Sequence, residues 1–228
     1  MKRLGNLKPG TIFNYAKEKF AVLGPRNDGV LCLLAQSKHD AAFYDGDEKP
    51  YNDYRKSKLR AEIEVRFMNK LIENGAKRED MVAYDLDLSE TDGSDGYGVL
   101  QNVLAAPLTL WDYGKYKAAI PNNENGAWWL ATPFWAPRSP YTSSSSIVWY
   151  VLSVGGCDFS WCDDTTGGVR PAIVLNSSLL VSYGGEEEEE IDLEKVPNEL
   201  FMEEVERRWK KGMFTVSFEG PFVTFKGE

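Results

Sequence analysis

Short apolar runs separated by turn chemistry fill the opening of the chain. Thr11-Ile12-Phe13, Phe20-Ala21-Val22-Leu23 and Val30-Leu31-Cys32-Leu33-Leu34 have strand length, and Gly24 to Gly29 supplies glycine, proline, asparagine and aspartate. Together they predict a β-meander with its turn at Gly24–Gly29. From Lys56 to Asn74 the period changes. Leu59, Ile63, Phe67 and Leu71 recur every fourth residue and Gly75 follows as a stop, which predicts a helix with one buried stripe and a solvated charged face. Asp85 to Gly98 is rich in Asp, Ser and Gly and predicts a loop, and Leu108 to Tyr113 predicts a short helix capped by Thr109. Ile147 to Val154, ending at Gly155-Gly156, is the strongest strand pattern. Val169 to Leu175 is a second strand, whose Pro171 implies an edge or an irregular start.

The sheet core ends near Ser182. Gly184, Gly185 and the run Glu186 to Glu190 predict a solvated linker over 184–190. Beyond it, Pro197 to Lys211 carries Leu200, Phe201, Val205 and Trp209 at helical spacing, and two apolar runs flank Gly220-Pro221 as a hairpin. This appendage over 191–228 is too small to hold a core alone. The expected organisation is an α+β domain over 1–183, the acidic linker, and a C-terminal helix and hairpin.

Composition narrows the function. A hydrophobic content of 43% excludes global disorder. A net charge of −9 argues against a nucleic-acid partner, which calls for a basic stripe. No window approaches the roughly 18–20 apolar residues of a membrane span, so no membrane insertion is expected. The segment Met1 to Asn6 carries no apolar stretch of leader length, so a product made in the cytoplasm without a signal peptide is expected. Cys32, Cys157 and Cys162 form no ligand quartet and His39 is the one histidine, so no zinc site is expected. Asp85, Asp87, Asp92 and Asp95 are hard-oxygen donors, but their spacing is not that of an EF-hand.

Catalytic chemistry does not assemble. A nucleophile needs an adjacent base, and His39 lies in a polar stretch expected to be an exposed loop. Gly-x-Ser-x-Gly, the phosphate-binding loop and the dinucleotide fingerprint are absent. Asp163-Asp164 is a carboxylate pair only in sequence, because neighbours on a strand point apart. No cofactor is implied.

One window stands out. Between Ala131 and Val169 there is no Lys, Glu, Gln or Met, whereas the rest of the chain holds 43 of them. Rigid aromatics and small polar residues remain, the composition of a paratope.

Within and around this window, Ala127-Trp128-Trp129-Leu130-Ala131-Thr132-Pro133, Val148-Trp149-Tyr150-Val151 and Gly168-Val169-Arg170-Pro171-Ala172 resemble the variable proteins of diversity-generating retroelements. The similarity is to the gut bacterial and phage branch, whose C-type lectin-like fold is related to formylglycine-generating enzymes. The opening Leu7 to Phe13, Phe20 to Leu23 and the helix start Ser57-Lys58-Leu59-Arg60 share it, so it spans about Leu4 to Ser182. The resemblance implies small antiparallel sheets, one or two helices and long irregular loops. It also implies adenine-directed mutagenesis of Asn codons to any base, any base, pyrimidine. Such codons cannot encode Lys, Glu, Gln, Met or Trp, and the first four are the types missing from the window.

The candidates for diversification, in a variable region of about 131–169, are then Phe134, Arg138, Tyr141, Ser143, Ser144, Ser145, Cys157, Asp158, Phe159, Cys162 and Asp163. Trp135, Trp149 and Trp161 would be fixed aromatic contacts. Val148, Tyr150, Val151, Gly168 and Pro171 would be framework, with Trp128, Trp129 and Arg170 as its structural anchors. The implied partner is a protein or glycan on a cell surface, met by a homo-oligomer or by a chain displayed on a phage particle or cell surface. Three rivals stand beside this one: an undiversified carbohydrate-binding lectin, with or without calcium; a structural module; and a formylglycine-type enzyme using Cys157 and Cys162. Against the enzyme, this chain has Gly-Val-Arg-Pro-Ala where that family ends Gly-Phe-Arg-Cys-Ala.

Overall fold

The meander forms because its strands pair along both edges while their apolar side chains enter the core. The computed structural model describes residues 1–49, 51–135, 145–183, 214–219 and 222–227. It opens with β1 (Lys2–Arg3), β2 (Ile12–Tyr15), β3 (Glu18–Arg26) and β4 (Gly29–Leu34), and every residue of β4 is buried. The turn is tighter than expected. Gly24, Pro25 and Arg26 continue β3 opposite Leu31, Val30 and Gly29 after a register shift past Val22, which leaves Asn27-Asp28 as the connection. Asn27 takes the positive φ (50°) that its short polar side chain tolerates.

Helix α1 over 58–73 buries Leu59, Ile63, Phe67 and Leu71, as its period demands. The Ser57 side chain accepts from Arg60 N at 3.0 Å to cap it, and Gly75 ends it at φ 102°. Its middle, Glu62–Phe67, widens into a π-helical turn. There Glu62 holds both Arg66 (2.9 Å) and the exposed His39 (3.0 Å).

The predicted acidic loop is partly strand. β5 (Tyr84–Asp87) pairs with β6 (Val99–Val103), because Tyr84 and Leu86 point inward while Asp85 and Asp87 face solvent. Four residues are enough for that alternation, but Asp and Ser mask it in the sequence. After β7 (Ala105–Ala106), helix α2 (Leu110–Tyr116) starts on Thr109, whose hydroxyl accepts from Asp112 N at 3.0 Å.

Strands β8 (Trp128–Pro133), β9 (Ile147–Val151) and β10 (Cys157–Trp161) make a three-stranded antiparallel sheet in the order β10-β9-β8. β9 ends at Val151, short of Val154, because Leu152 to Gly156 closes the hairpin with Gly155 at φ 78°. β11 (Ala172–Asn176) and β12 (Leu180–Tyr183) return to the first sheet, whose order is β1-β12-β2-β3-β4-β11-β7. β11 is thus an inner strand, and Pro171 sits just before its first residue, where no ladder bond is lost.

Among the described residues the architecture is α+β, with small antiparallel sheets and two α-helices. No described helix is long and apolar enough to cross a membrane. The chain divides into two units, Met1–Gly184 and Gly185–Glu228. In the second, β13 (Phe214–Glu219) and β14 (Phe222–Gly227) form the predicted hairpin. The predicted linker 184–190 and the helix Pro197–Lys211 lie outside the described residues.

Candidate ligand-binding site

The outer strand β10 runs antiparallel to β9 with Phe159 opposite Trp149, Asp158 opposite Tyr150 and Trp161 opposite Ile147. Side chains alternate across the pleat, and on one face they gather aromatic rings. The Phe134 ring lies 5.1 Å from Trp149, 4.6 Å from Phe159 and 4.5 Å from Trp135. Trp149 meets Phe159 edge-on at 6.2 Å. Phe159 is 47% and Trp161 60% exposed, while Phe134, Trp135 and Trp149 are half-buried. Trp149 Nε1 finds no acceptor among the described residues. An exposed aromatic face of this kind suits a ligand that carries flat apolar surface.

A rigid floor lies beneath. Trp129 packs on Tyr150 (5.9 Å) and Phe43 (6.0 Å) and donates from Nε1 to Ala41 O at 2.7 Å. A Cβ on Gly167 would stand 2.2 Å from the Trp129 ring, so this approach needs glycine. Trp128 packs against Tyr113 at 5.8 Å and under the Arg170 guanidinium at 4.8 Å. Arg170 donates from Nε to Leu34 O and from Nη2 to Ala35 O and Pro121 O, at 2.9, 2.7 and 3.0 Å. Burial pushes its pKa down to about 10.

Asn52, fully buried, ties the two flanks of 136–144 together. Its Nδ2 donates to Trp135 O (2.7 Å) and Ile147 O (2.9 Å), and Tyr97 Oη donates to its Oδ1 at 2.6 Å. The backbone N–H groups of Tyr51 and Asn52 both donate to Ser145 O. Local sequence carries no sign of this role, because the partners are 83 and 95 residues away.

Beside the aromatic face, Tyr44, Tyr51, Ser146, Trp161, Asp45 and Asp163 contribute to a cleft of about 440 Å³. Tyr44 and Tyr51 meet at 5.4 Å, and Lys58 holds Asp45 at 2.6 Å.

Of the residues expected at the surface, Cys157, Asp158, Phe159 and Asp163 are exposed. Phe134 and Ser145 are half-buried at its rim, and Arg138, Tyr141, Ser143 and Ser144 lie outside the described residues. Cys162 differs from its expected surface position. It is 2% exposed, because the chain turns inward after Trp161 and the Cys162 backbone bonds to Tyr44 and Ser146. Burial pushes its thiol up, and does the same to Cys157 despite the opposing field of Lys117. Both thiols are free. Asp164 accepts from Thr166 and Ser160, and these bonds hold its carboxyl below the usual range. No group of three potential metal ligands occurs among the described residues. Compared with known proteins, the chain matches no family model, no curated protein and no solved structure.

Proposed function

We propose that the chain is a non-catalytic ligand-binding protein with a C-type lectin-like fold, whose β9–β10 surface is diversified by retroelement mutagenesis. The observation that carries this is the division of the window by burial. Val148, Val151, Val169 and Arg170 are each at most 1% exposed, while Cys157, Asp158, Phe159 and Asp163 face solvent. A fixed interior beneath replaceable side chains is what diversification without loss of fold requires. Cys162 then belongs to the fixed set. The ligand is a protein or glycan at a cell surface, and display in several copies would add avidity to a modest single-site affinity.

DNA flanking the gene tests the proposal. A reverse-transcriptase gene and a near-identical template repeat are expected, with every mismatch at a template adenine; mismatches spread over other bases would sink diversification. In the protein, Asp158→Ala and Phe159→Ala should change ligand choice with under about 0.5 kcal/mol lost, whereas Arg170→Ala should cost about 4 kcal/mol or unfold the unit.

The cleft of Tyr44, Tyr51, Trp161 and Asp163 favours a second reading, an undiversified sugar-binding module in which rings stack on a sugar face and carboxylates accept its hydroxyls. A glycan array with and without calcium separates the two: calcium-dependent binding to one sugar class favours the lectin.

A further inference from the structure

Arg26, Arg55, Arg60 and Arg66 each pair with a carboxylate, and all keep some solvent contact. Among the described residues Arg170, at 1% exposure, is the most buried arginine and pairs with no carboxylate. Its Nε and Nη2 are satisfied by three carbonyls, and Nη1 has no partner among the described residues. A buried cation balanced only by dipoles leaves positive potential in whatever space it borders.

That space exists. Arg170 lines a cavity of about 120 Å³ walled by Tyr113, Lys117, Trp128, Asn122 and the hairpin turn Leu152 to Gly155. Lys117 is exposed, follows the C-terminal end of α2, and lies with Nζ 5.8 Å from the Tyr113 ring centroid. No Asp or Glu is among the described residues that line it. Tyr113 is already committed, donating to Gly155 O at 2.7 Å. Two cations thus border a small space to which no described carboxylate contributes.

We propose that this cavity binds a small oxyanion, a carboxylate or phosphate group, between Arg170 and Lys117. The planar guanidinium matches the geometry of either group, and the Lys117 ammonium closes the charge balance from the solvent side. The volume suits one such group, carried by a free small acid or by the terminal carboxylate of a peptide. Occupancy would also brace the β9–β10 turn from beneath. The site stands apart from the aromatic face and does not depend on its diversification.

The test uses the full chain at constant ionic strength set with sodium chloride. Inorganic phosphate and acetate are titrated while the thermal midpoint and calorimetric heat are followed. A saturable rise in midpoint is expected. Lys117→Ala should weaken the apparent affinity about tenfold, and the nearby control Lys115→Ala should leave it unchanged. A short peptide with a free C-terminus, compared with its amide, separates the two sources. No saturable response to phosphate or acetate, or an equal response in Lys117→Ala, overturns the proposal. The decision rests on Lys117 because loss of Arg170 also removes three bonds that hold the sheet.

Discussion

Asn52 does at the scale of one side chain what a disulfide does in a secreted loop. It joins the backbone before residue 136 to the backbone after residue 144 through two donated bonds. Asn52→Ala strands two carbonyls and the Tyr97 hydroxyl together, so it should lower stability by about 2–4 kcal/mol in urea titration. Loss of under about 0.5 kcal/mol would show that the flanks are held by other means. Asn52 was illegible in the sequence, since one Asn in Tyr-Asn-Asp-Tyr has no local pattern to mark it. Arg170 was legible, because an arginine inside Gly-Val-Arg-Pro-Ala has apolar neighbours that demand an internal partner. Cys162 misled for the opposite reason. A small residue beside Trp and Asp looks superficial until the chain is seen to turn inward.

In the first sheet β2, β3, β4 and β11 are legible as apolar runs whereas the short β1, β7 and β12 are not, and α1 is legible through its period, its four inward residues setting its face. β5 is not, because a four-residue strand with two aspartates looks like the acidic loop it adjoins. The β9–β10 hairpin was half legible: β9 by its β-branched and aromatic run, β10 hardly at all. Phe159 and Trp161 alternate with Asp158 and Ser160, but all stand near solvent on an outer strand. Past β10 the chain is held by Asp164, whose carboxylate is favoured first by Thr166 and then by Ser160. Its folded pKa lies below its unfolded value, so it adds stability above the ordinary carboxylate range, and that contribution is lost as pH falls through the folded value. The stability gap between the native chain and Asp164→Asn should therefore be widest near neutrality and shrink below about pH 4. A gap constant from neutral to acid pH would place the role of Asp164 elsewhere.

Across the whole first unit, chain order and spatial order part company. β11 enters between β4 and β7, and β12 between β1 and β2, so the sheet closes only when its last strands arrive. No local pattern encodes such pairings, which is why the sequence yields strands but not their order. The pairing of Lys2 with Val181 and Arg3 with Leu180 sets the two ends of the unit side by side, roughly 5 Å apart across the ladder. Its covalent ends are therefore interchangeable in principle with a cut elsewhere. A circular permutant of residues 1–183, with a short Gly-Ser bridge from Tyr183 to Met1 and new termini opened inside 136–144, keeps every strand pair and leaves the Asn52 clasp to hold the opening. It should melt cooperatively within about 5 °C of the parent unit, and an unfolded permutant would mean that continuity through 136–144 matters more than the clasp. The new termini would emerge beside the aromatic face, where a fused peptide or fluorophore becomes a direct reporter of what docks there.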